Sequence, residues 1–218
     1  MPEAHARHDL VRAAPAAWAA LLRDRPDLDG LPHLAGWAGA RRPLIVRRSH
    51  PGEGTDRVPL GLPLPPADGK RRIGLALPAA DLTPVTAPTL AEAAAHAPAA
   101  WRPTLDALVA LGARCGSPPR PFGGLLWQAM TGLAYLTAAS DLDLLWPCPE
   151  PVPSDLLDGL VRIADAAPMR LDGEILLPDG GGVHWRELRD APAGGPVLAK
   201  YRDRAALRSV PVGARAAA

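Results

Sequence analysis

Two aspartates stand two positions apart in an otherwise apolar stretch, SDLDLLW, at residues 140–146. Side chains alternate along a β-strand, so Asp141 and Asp143 would share one face while Leu142 and Leu144 face the core. Two carboxylates on one face repel each other unless a cation lies between them. A hard cation such as Mg²⁺ binds carboxylate oxygens and often keeps substrate phosphates as further ligands. The pair therefore predicts a magnesium site held by Asp141 and Asp143.

Two glycines, Gly123 and Gly124, stand before a helical run that we expect from Leu125 to Leu133. Glycine lets the backbone approach a ligand closely, and the amides at a helix start have no partner within the helix. Such a start is a binding site for phosphate. The sequence therefore predicts substrate binding at Gly123, Gly124 and Ser140, the residue directly before the aspartates.

The segment RLDGEILL, residues 170–177, supplies two further acids, Asp172 and Glu174, on a predicted strand. A third carboxylate on a neighbouring strand would complete a site for phosphoryl or nucleotidyl transfer with two metal ions. Asp172 is favoured over Glu174 as the proton acceptor, because its shorter side chain has less conformational freedom to lose, and Glu174 stays the alternative. The alternative that DGE forms only a hairpin turn stays open. The histidines share no common spacing and receive no catalytic role.

Basic residues flank two short apolar runs, RRPLIVRR at residues 41–48 and KRRIGLAL at residues 70–77. Pairing of these two predicted strands would cluster the cations, and arginine suits bidentate contact with phosphate. The alternative is a solvated charged surface. The candidate phosphate-binding cations are Arg47, Arg48, Lys70, Arg71 and Arg72.

The order of elements predicts an α+β protein with a domain boundary between residues 82 and 83. Residues 58–66, VPLGLPLPP, carry too many prolines for an internal strand, and residues 78–90 resemble a linker. After residue 89 the helical periodicity begins, and strands then alternate with helices. We therefore expect a small N-terminal α/β domain, residues 1–82, followed by a mixed-sheet domain, residues 83–218.

Charge and composition argue against several functional classes. The net charge of +1 gives no overall field that would attract nucleic acid or an anionic membrane. Cys115 and Cys148 are too few for a disulfide framework or a zinc site, and the start of the chain has no apolar signal region. A cytoplasmic protein is expected. Residues 121–140 are uncharged and long enough for a membrane span, but their glycines and polar residues argue against one.

The order of a glycine pair, a helix, an Asp-x-Asp strand and a later acid resembles the DNA polymerase β-like nucleotidyltransferase superfamily. A narrower resemblance rests on FGGLLWQAMTGLAYLTAASDLDLLW (122–146), with VPLGLPLPPADGKRRI (58–73) upstream and RLDGEILLPDG (170–180) and VHWREL (183–188) downstream. These motifs resemble the malonate decarboxylase holo-acyl-carrier-protein synthase family, also called phosphoribosyl-dephospho-CoA transferase. Its members more often carry Gly-Ser where this chain has Gly123-Gly124.

The resemblance implies a specific reaction. The family takes 2'-(5''-triphosphoribosyl)-3'-dephospho-CoA and transfers the phosphoribosyl-dephospho-CoA group to a serine of the acyl-carrier subunit of malonate decarboxylase, releasing pyrophosphate. It implies that residues 83–218 form a nucleotidyltransferase-like catalytic domain that works with Mg²⁺. Two alternatives stay open: an enzyme of the same superfamily with another acceptor, and a binding module that keeps the fold without the activity.

Overall fold

The computed structural model describes residues 5–192 and 194–213. The chain folds into two compact units. The first unit takes in the chain up to Ala87 together with the short segment Met130–Ala134, and the second takes in the remainder. Each unit has its own sheet.

The first unit, as far as it is described, is built on a five-stranded antiparallel sheet in the order β4-β3-β2-β1-β5. Alternate apolar side chains of these strands are buried together with Trp18 and Trp37. The elements are β1 (Leu10–Ala13), α1 (Pro15–Arg23), β2 (Leu44–Val46), β3 (Val58–Pro63), β4 (Arg72–Leu77) and β5 (Leu82–Val85), with 3₁₀ turns at Pro26–Leu28, Pro66–Asp68 and Ala79–Asp81.

The expectation that β3 could not be internal was wrong. β3 lies between β2 and β4 although it carries Pro59 and Pro63. The Arg47 N–H donates to the Pro59 carbonyl, just past the point where the β2–β3 ladder ends at Val46 and Leu60. The bond that proline cannot donate is therefore missing only at the end of the ladder, where its loss is tolerated.

The segment expected to be a linker, residues 78–90, contains β5. This strand pairs with β1 along four residues and forms an edge of the first sheet. An edge strand tolerates Pro84, because only one of its sides is paired. The predicted boundary between residues 82 and 83 lies within this strand.

The second unit packs helices against a mixed sheet, which has six strands in the described residues, in the order β11-β10-β9-β8-β7-β6. The β7–β8 pair is parallel, and its neighbours are antiparallel. The elements are α2 (Leu90–Ala93), α3 (Arg102–Arg114), β6 (Arg120–Pro121), α4 (Gly123–Thr131), β7 (Leu142–Pro147), α5 (Ser154–Ala166), β8 (Leu171–Leu176), β9 (Gly182–His184), α6 (Trp185–Asp190), β10 (Pro196–Lys200) and β11 (Ala205–Ser209), with 3₁₀ turns at Ala94–His96 and Ala99–Trp101.

The core of the second unit lies on one side of this sheet. Leu142, Leu144 and Trp146 of β7 are fully buried there, in the same cluster as Leu156 and Leu160 of α5. Helices with one antiparallel and one mixed sheet confirm the α+β prediction. Among the described helices, none combines the length and the apolar character that crossing a membrane requires.

Candidate active site

One face of the mixed sheet carries all four predicted acids. Asp141 immediately precedes β7, and Asp143 is the second residue of that strand. In the parallel ladder Asp143 pairs directly with Asp172, whereas Glu174 pairs with Leu145. Paired residues of neighbouring strands point to the same side of a sheet, with strands about 4.8 Å apart. The leucines on either side of Asp143 are buried on the opposite side, so the sheet brings the two acidic segments together.

The start of α4 lies against Asp143. The Phe122 N–H donates to the Asp143 carbonyl oxygen over 2.9 Å, which holds the helix start at this strand. Gly123 has a φ of +55°, and a Cβ there would lie 2.0 Å from Asp143 Oδ2. Only glycine fits both the backbone conformation and the space. The first amides of α4, which have no partner within the helix, therefore begin beside a carboxylate of the predicted metal site.

Asp172 is fixed by hydrogen bonds to both carboxylate oxygens. Oδ1 accepts from His184 Nε2 and from the Gly173 N–H, each over 2.7 Å, and Oδ2 accepts from Arg170 Nη2 over 2.9 Å. His184 Nδ1 accepts from the Arg186 N–H, so the ring proton is assigned to Nε2. Burial by itself raises the pKa of Asp172, but the bonds from Gly173 and His184 outweigh it and hold the pKa below its usual value.

Arg170 supplies a positive charge that the sequence alone did not place here. Its Nη1 lies 3.8 Å from Asp141 Oδ2 while its Nη2 bonds Asp172. A guanidinium thus stands between carboxylates of both strands and reduces their mutual repulsion. Its position as the first residue of the predicted strand RLDGEILL is the signal that could have found it.

The DGE segment lies inside β8 and is not a hairpin turn. Gly173 has a φ of +145°, and a Cβ there would lie 2.1 Å from the Leu144 carbonyl oxygen. The glycine is therefore required by the close approach of the β7 backbone. Gly173 is the single residue between Asp172 and Glu174, so both acids lie on the same face of the sheet as Asp143.

Glu174 faces basic side chains from the next strands. It pairs with His184 in the β8–β9 ladder, and Lys200 Nζ, at the end of β10, lies 3.3 Å from its Oε1. Sequence reasoning missed both His184 and Lys200. The PDGGG turn at residues 178–182 was the available signal, since a hairpin there sets His184 opposite Glu174.

Ser140, a predicted substrate-binding residue, closes a turn. Its Oγ accepts from the Thr137 N–H over 2.9 Å, and its own N–H donates to the Thr137 carbonyl over 3.1 Å. The turn leads directly into Asp141. The structure thus gives Ser140 a part in setting the entry to β7.

The predicted phosphate-binding cations of the first unit divide into two groups. Arg47 binds Glu53 through both Nη atoms and donates from Nε to the Leu60 carbonyl over 3.0 Å. This pairing holds the pKa of Glu53 at about 2. These bonds hold the Arg47 side chain against Glu53 and β3. The side chains of the other group are exposed: Arg48, Lys70, Arg71 and Arg72.

The residues around Asp143 fit a magnesium ion. Asp141 and Asp143 offer carboxylate oxygens, the ligand type that Mg²⁺ prefers, and Asp143 Oδ2 lies close against the backbone of Gly123, where no side chain fits. Over residues 5–192 and 194–213, no three or more His, Cys, Asp or Glu side chains are already grouped as a metal-ligand set. Mg²⁺ commonly takes its further ligands from water and substrate phosphates.

Family models cover nearly the whole chain. A model described as the phosphoribosyl-dephospho-CoA transferase MdcG C-terminal domain matches residues 89–211, and one for the N-terminal domain of the same protein matches residues 6–88. The chain belongs to the phosphoribosyl-dephospho-CoA transferase family. It is therefore an enzyme of the transferase class, and the acids described above lie in the part that the C-terminal model covers.

Individual relatives agree with this family assignment. A phosphoribosyl-dephospho-CoA transferase of Bradyrhizobium diazoefficiens is 45% identical over 184 residues, 84% of this chain and 81% of that protein. Its counterpart in Xanthomonas campestris pv. campestris is 43% identical over 158 residues, 72% of this chain and 74% of that protein. One from Pseudomonas putida is 34% identical over 150 residues, 65% and 68% respectively. No solved structure matches the chain. The family resemblance inferred from the motifs is confirmed.

Proposed function

We propose that the protein transfers the phosphoribosyl-dephospho-CoA group from 2'-(5''-triphosphoribosyl)-3'-dephospho-CoA to a serine of the acyl-carrier subunit of malonate decarboxylase, with release of pyrophosphate. The observation that carries the proposal is the register that pairs Asp143 with Asp172 beside the start of α4. That arrangement would join a metal-binding acid, a second acid and a phosphate-binding helix start on one face. The name of the family supports the identity of the transferred group.

The reaction exchanges one bond between the α-phosphorus and oxygen for another. The serine Oγ forms a bond to the α-phosphorus, the bond from that phosphorus to the bridging oxygen of the β-phosphate breaks, and pyrophosphate leaves. The hydroxyl proton passes to a carboxylate, for which we propose Asp172, because its hydrogen bonds hold its pKa below the usual value and because it pairs with Asp143. Phosphoryl transfer depends mainly on positioning and on stabilisation of charge, so a proton acceptor of low pKa is compatible with it.

Negative charge gathers on the triphosphate as pyrophosphate leaves. Bound Mg²⁺, held by Asp141 and Asp143, would neutralise charge on the attacking and leaving oxygens. The protein adds the amides at the start of α4 and the guanidinium of Arg170 on the same face. These fixed groups would orient the triphosphate with its α-phosphorus toward the acids.

We also propose that exposed cations of the first unit contact the phosphates of the substrate. The candidates are now Arg48, Lys70, Arg71 and Arg72, because Arg47 is engaged by Glu53. The reduced thiols Cys115 and Cys148 suit a cytoplasmic setting for the reaction.

The test is to incubate the protein with the apo-carrier subunit, the triphosphate precursor and Mg²⁺, and then to weigh the carrier by mass spectrometry. We expect one phosphoribosyl-dephospho-CoA group per carrier and an equal amount of pyrophosphate. A carrier whose modified serine is replaced by alanine is the control and should keep its mass. Transfer to a different acceptor alone would favour another enzyme of the superfamily, and precursor binding without transfer would favour a binding module.

A further inference from the structure

The two oxygens of Asp172 are not equivalent. A carboxylate offers about four acceptor positions, two on each oxygen. On Oδ1 both are taken, by His184 Nε2 and the Gly173 N–H, whereas Oδ2 receives a hydrogen bond from Arg170. Oδ2 therefore keeps an acceptor position for a further group. The Arg170 guanidinium that bonds Oδ2 also reaches toward Asp141, so this oxygen lies on the side of the aspartate pair.

His184 is itself held from two sides. It is the last residue of β9 and the N-cap of α6, where its Nδ1 accepts from the Arg186 N–H over 3.2 Å. The ladder with β8 fixes its backbone opposite Glu174. With Nδ1 engaged as an acceptor, Nε2 carries the hydrogen and points it at Asp172 Oδ1. A ring fixed at both nitrogens can hold a carboxylate in one orientation.

We propose that His184 is a positioning residue for the transfer reaction: by occupying Oδ1 of Asp172, it presents Oδ2 to the hydroxyl that attacks the phosphorus. The inference rests on the proposed function. The bond restricts rotation of the carboxylate about its Cβ–Cγ bond, and a partial rotation would turn the acceptor position of Oδ2 away from the attacking hydroxyl. Small displacements of a reacting group cost rate out of proportion to their size.

Two substitutions separate this role from the capping of α6. In His184→Asn the side-chain oxygen lies where Nδ1 lies, so it can still cap α6, for which asparagine is among the best residues, but the side chain is too short to reach Asp172. In His184→Gln the longer amide places an N–H near the position of Nε2, so the donor to Asp172 is restored and the cap is weakened. Each variant therefore removes one of the two hydrogen bonds of the His184 ring and keeps the other.

We expect His184→Asn to lower kcat by about 10- to 100-fold, with the KM for the precursor and the thermal midpoint close to those of the parent. His184→Gln should keep most of the parent kcat even where its thermal midpoint falls. The measurements are steady-state transfer to the carrier, followed by mass spectrometry, and thermal unfolding of both full-length variants.

The opposite order, with an active Asn variant and an impaired Gln variant, would show that His184 only caps α6 and would overturn the inference. Equal kcat values in the two variants, whether both normal or both reduced, would overturn it as well, because only one of them keeps the donor. Failure of the parent protein to transfer the group at all would overturn the proposed function and this inference with it.

Discussion

At the scale of single residues, the site depends on how closely backbone and carboxylate approach each other. Gly123 leaves no room for any side chain beside Asp143 Oδ2, and Asp172 faces Asp143 across one ladder position.

Asp141→Asn and Asp143→Asn should each reduce transfer by about a thousandfold or more while the protein stays folded. A neutral amide is a poor ligand for a hard cation, and a metal ion contributes several kcal/mol to the stabilisation of such a transition state. Transfer is measured by the mass of the carrier, and folding by thermal unfolding. Asp106→Asn, on the exposed side of α3, is the control. Near-normal transfer by either site variant would contradict the metal assignment.

Gly123→Ala should abolish transfer and lower the free energy of unfolding by about 1–2 kcal/mol, because alanine is strained at a φ of +55° and its Cβ would overlap Asp143. Gly36→Ala is the control, because a Cβ there would have no atom within 4 Å. Urea unfolding and the transfer assay should separate the two variants, and equal behaviour would mean that the space at Gly123 has no special importance.

The positions of the acids follow from the sequence more directly than those of their partners. Alternation along a strand is a local property, so Asp141, Asp143, Asp172 and Glu174 were found from spacing alone. Arg170 reaches Asp141 through the register of β7 and β8, and His184 and Lys200 contact the acids through the register of β8, β9 and β10. Register depends on pairing between distant segments. The assignment of these site residues to catalysis stays a prediction.

At the scale of elements, the β7–β8 pair is the central structure, since it alone sets one acidic segment beside the other. At Gly173 the two strands leave no room for a side chain, since a Cβ there would lie 2.1 Å from the Leu144 carbonyl oxygen. The prolines led to wrong predictions for two segments: β3 was not expected to be an internal strand, and the segment that contains β5 was expected to be a linker. The reason is that the tolerance of a strand for proline depends on which side of it is paired and where the ladder ends.

Gly173→Ala should destabilise the second unit strongly. The φ of +145° is accessible to glycine and costs other residues about 1–3 kcal/mol, and the new Cβ would press against the Leu144 carbonyl and separate the two strands. Gly213→Ala is the control, since its Cβ would meet only ordinary contacts. Urea unfolding of both variants tests this prediction. A Gly173→Ala protein as stable as the parent would show that the strands can move apart without cost.

At the scale of the whole molecule, the family models divide the chain between residues 88 and 89, close to the end of the first unit at Ala87. The segment Met130–Ala134 nevertheless belongs to the first unit. Nothing in its sequence indicates this, because its place is decided only when the chain has folded. The net charge of +1 likewise conceals a run of three cations, Lys70, Arg71 and Arg72, where the β3–β4 connection enters β4.

Arg71→Gln and Arg72→Gln should each raise the KM for the triphosphate precursor about two- to fivefold at low salt, with little change in kcat. Exposed charges are screened by salt, so the difference from the parent should disappear as salt increases. Arg23→Gln, an exposed arginine of α1, is the control. Steady-state kinetics across a salt series tests this. An unchanged KM at low salt would mean that these arginines only solvate the surface.

Chemical labelling of Lys200 can report whether the site is occupied. The chain has only two lysines, Lys70 and Lys200; Lys70 is exposed, and Lys200 lies beside Glu174 on the face of the acids. An amine-reactive acylating reagent would therefore modify very few positions, and peptide mapping could follow each of them separately. Precursor bound across the acids would slow acylation of Lys200, with Lys70 as an internal comparison. Occupancy of the site could thus be followed on the protein without any substitution, without a dye and without a turnover assay.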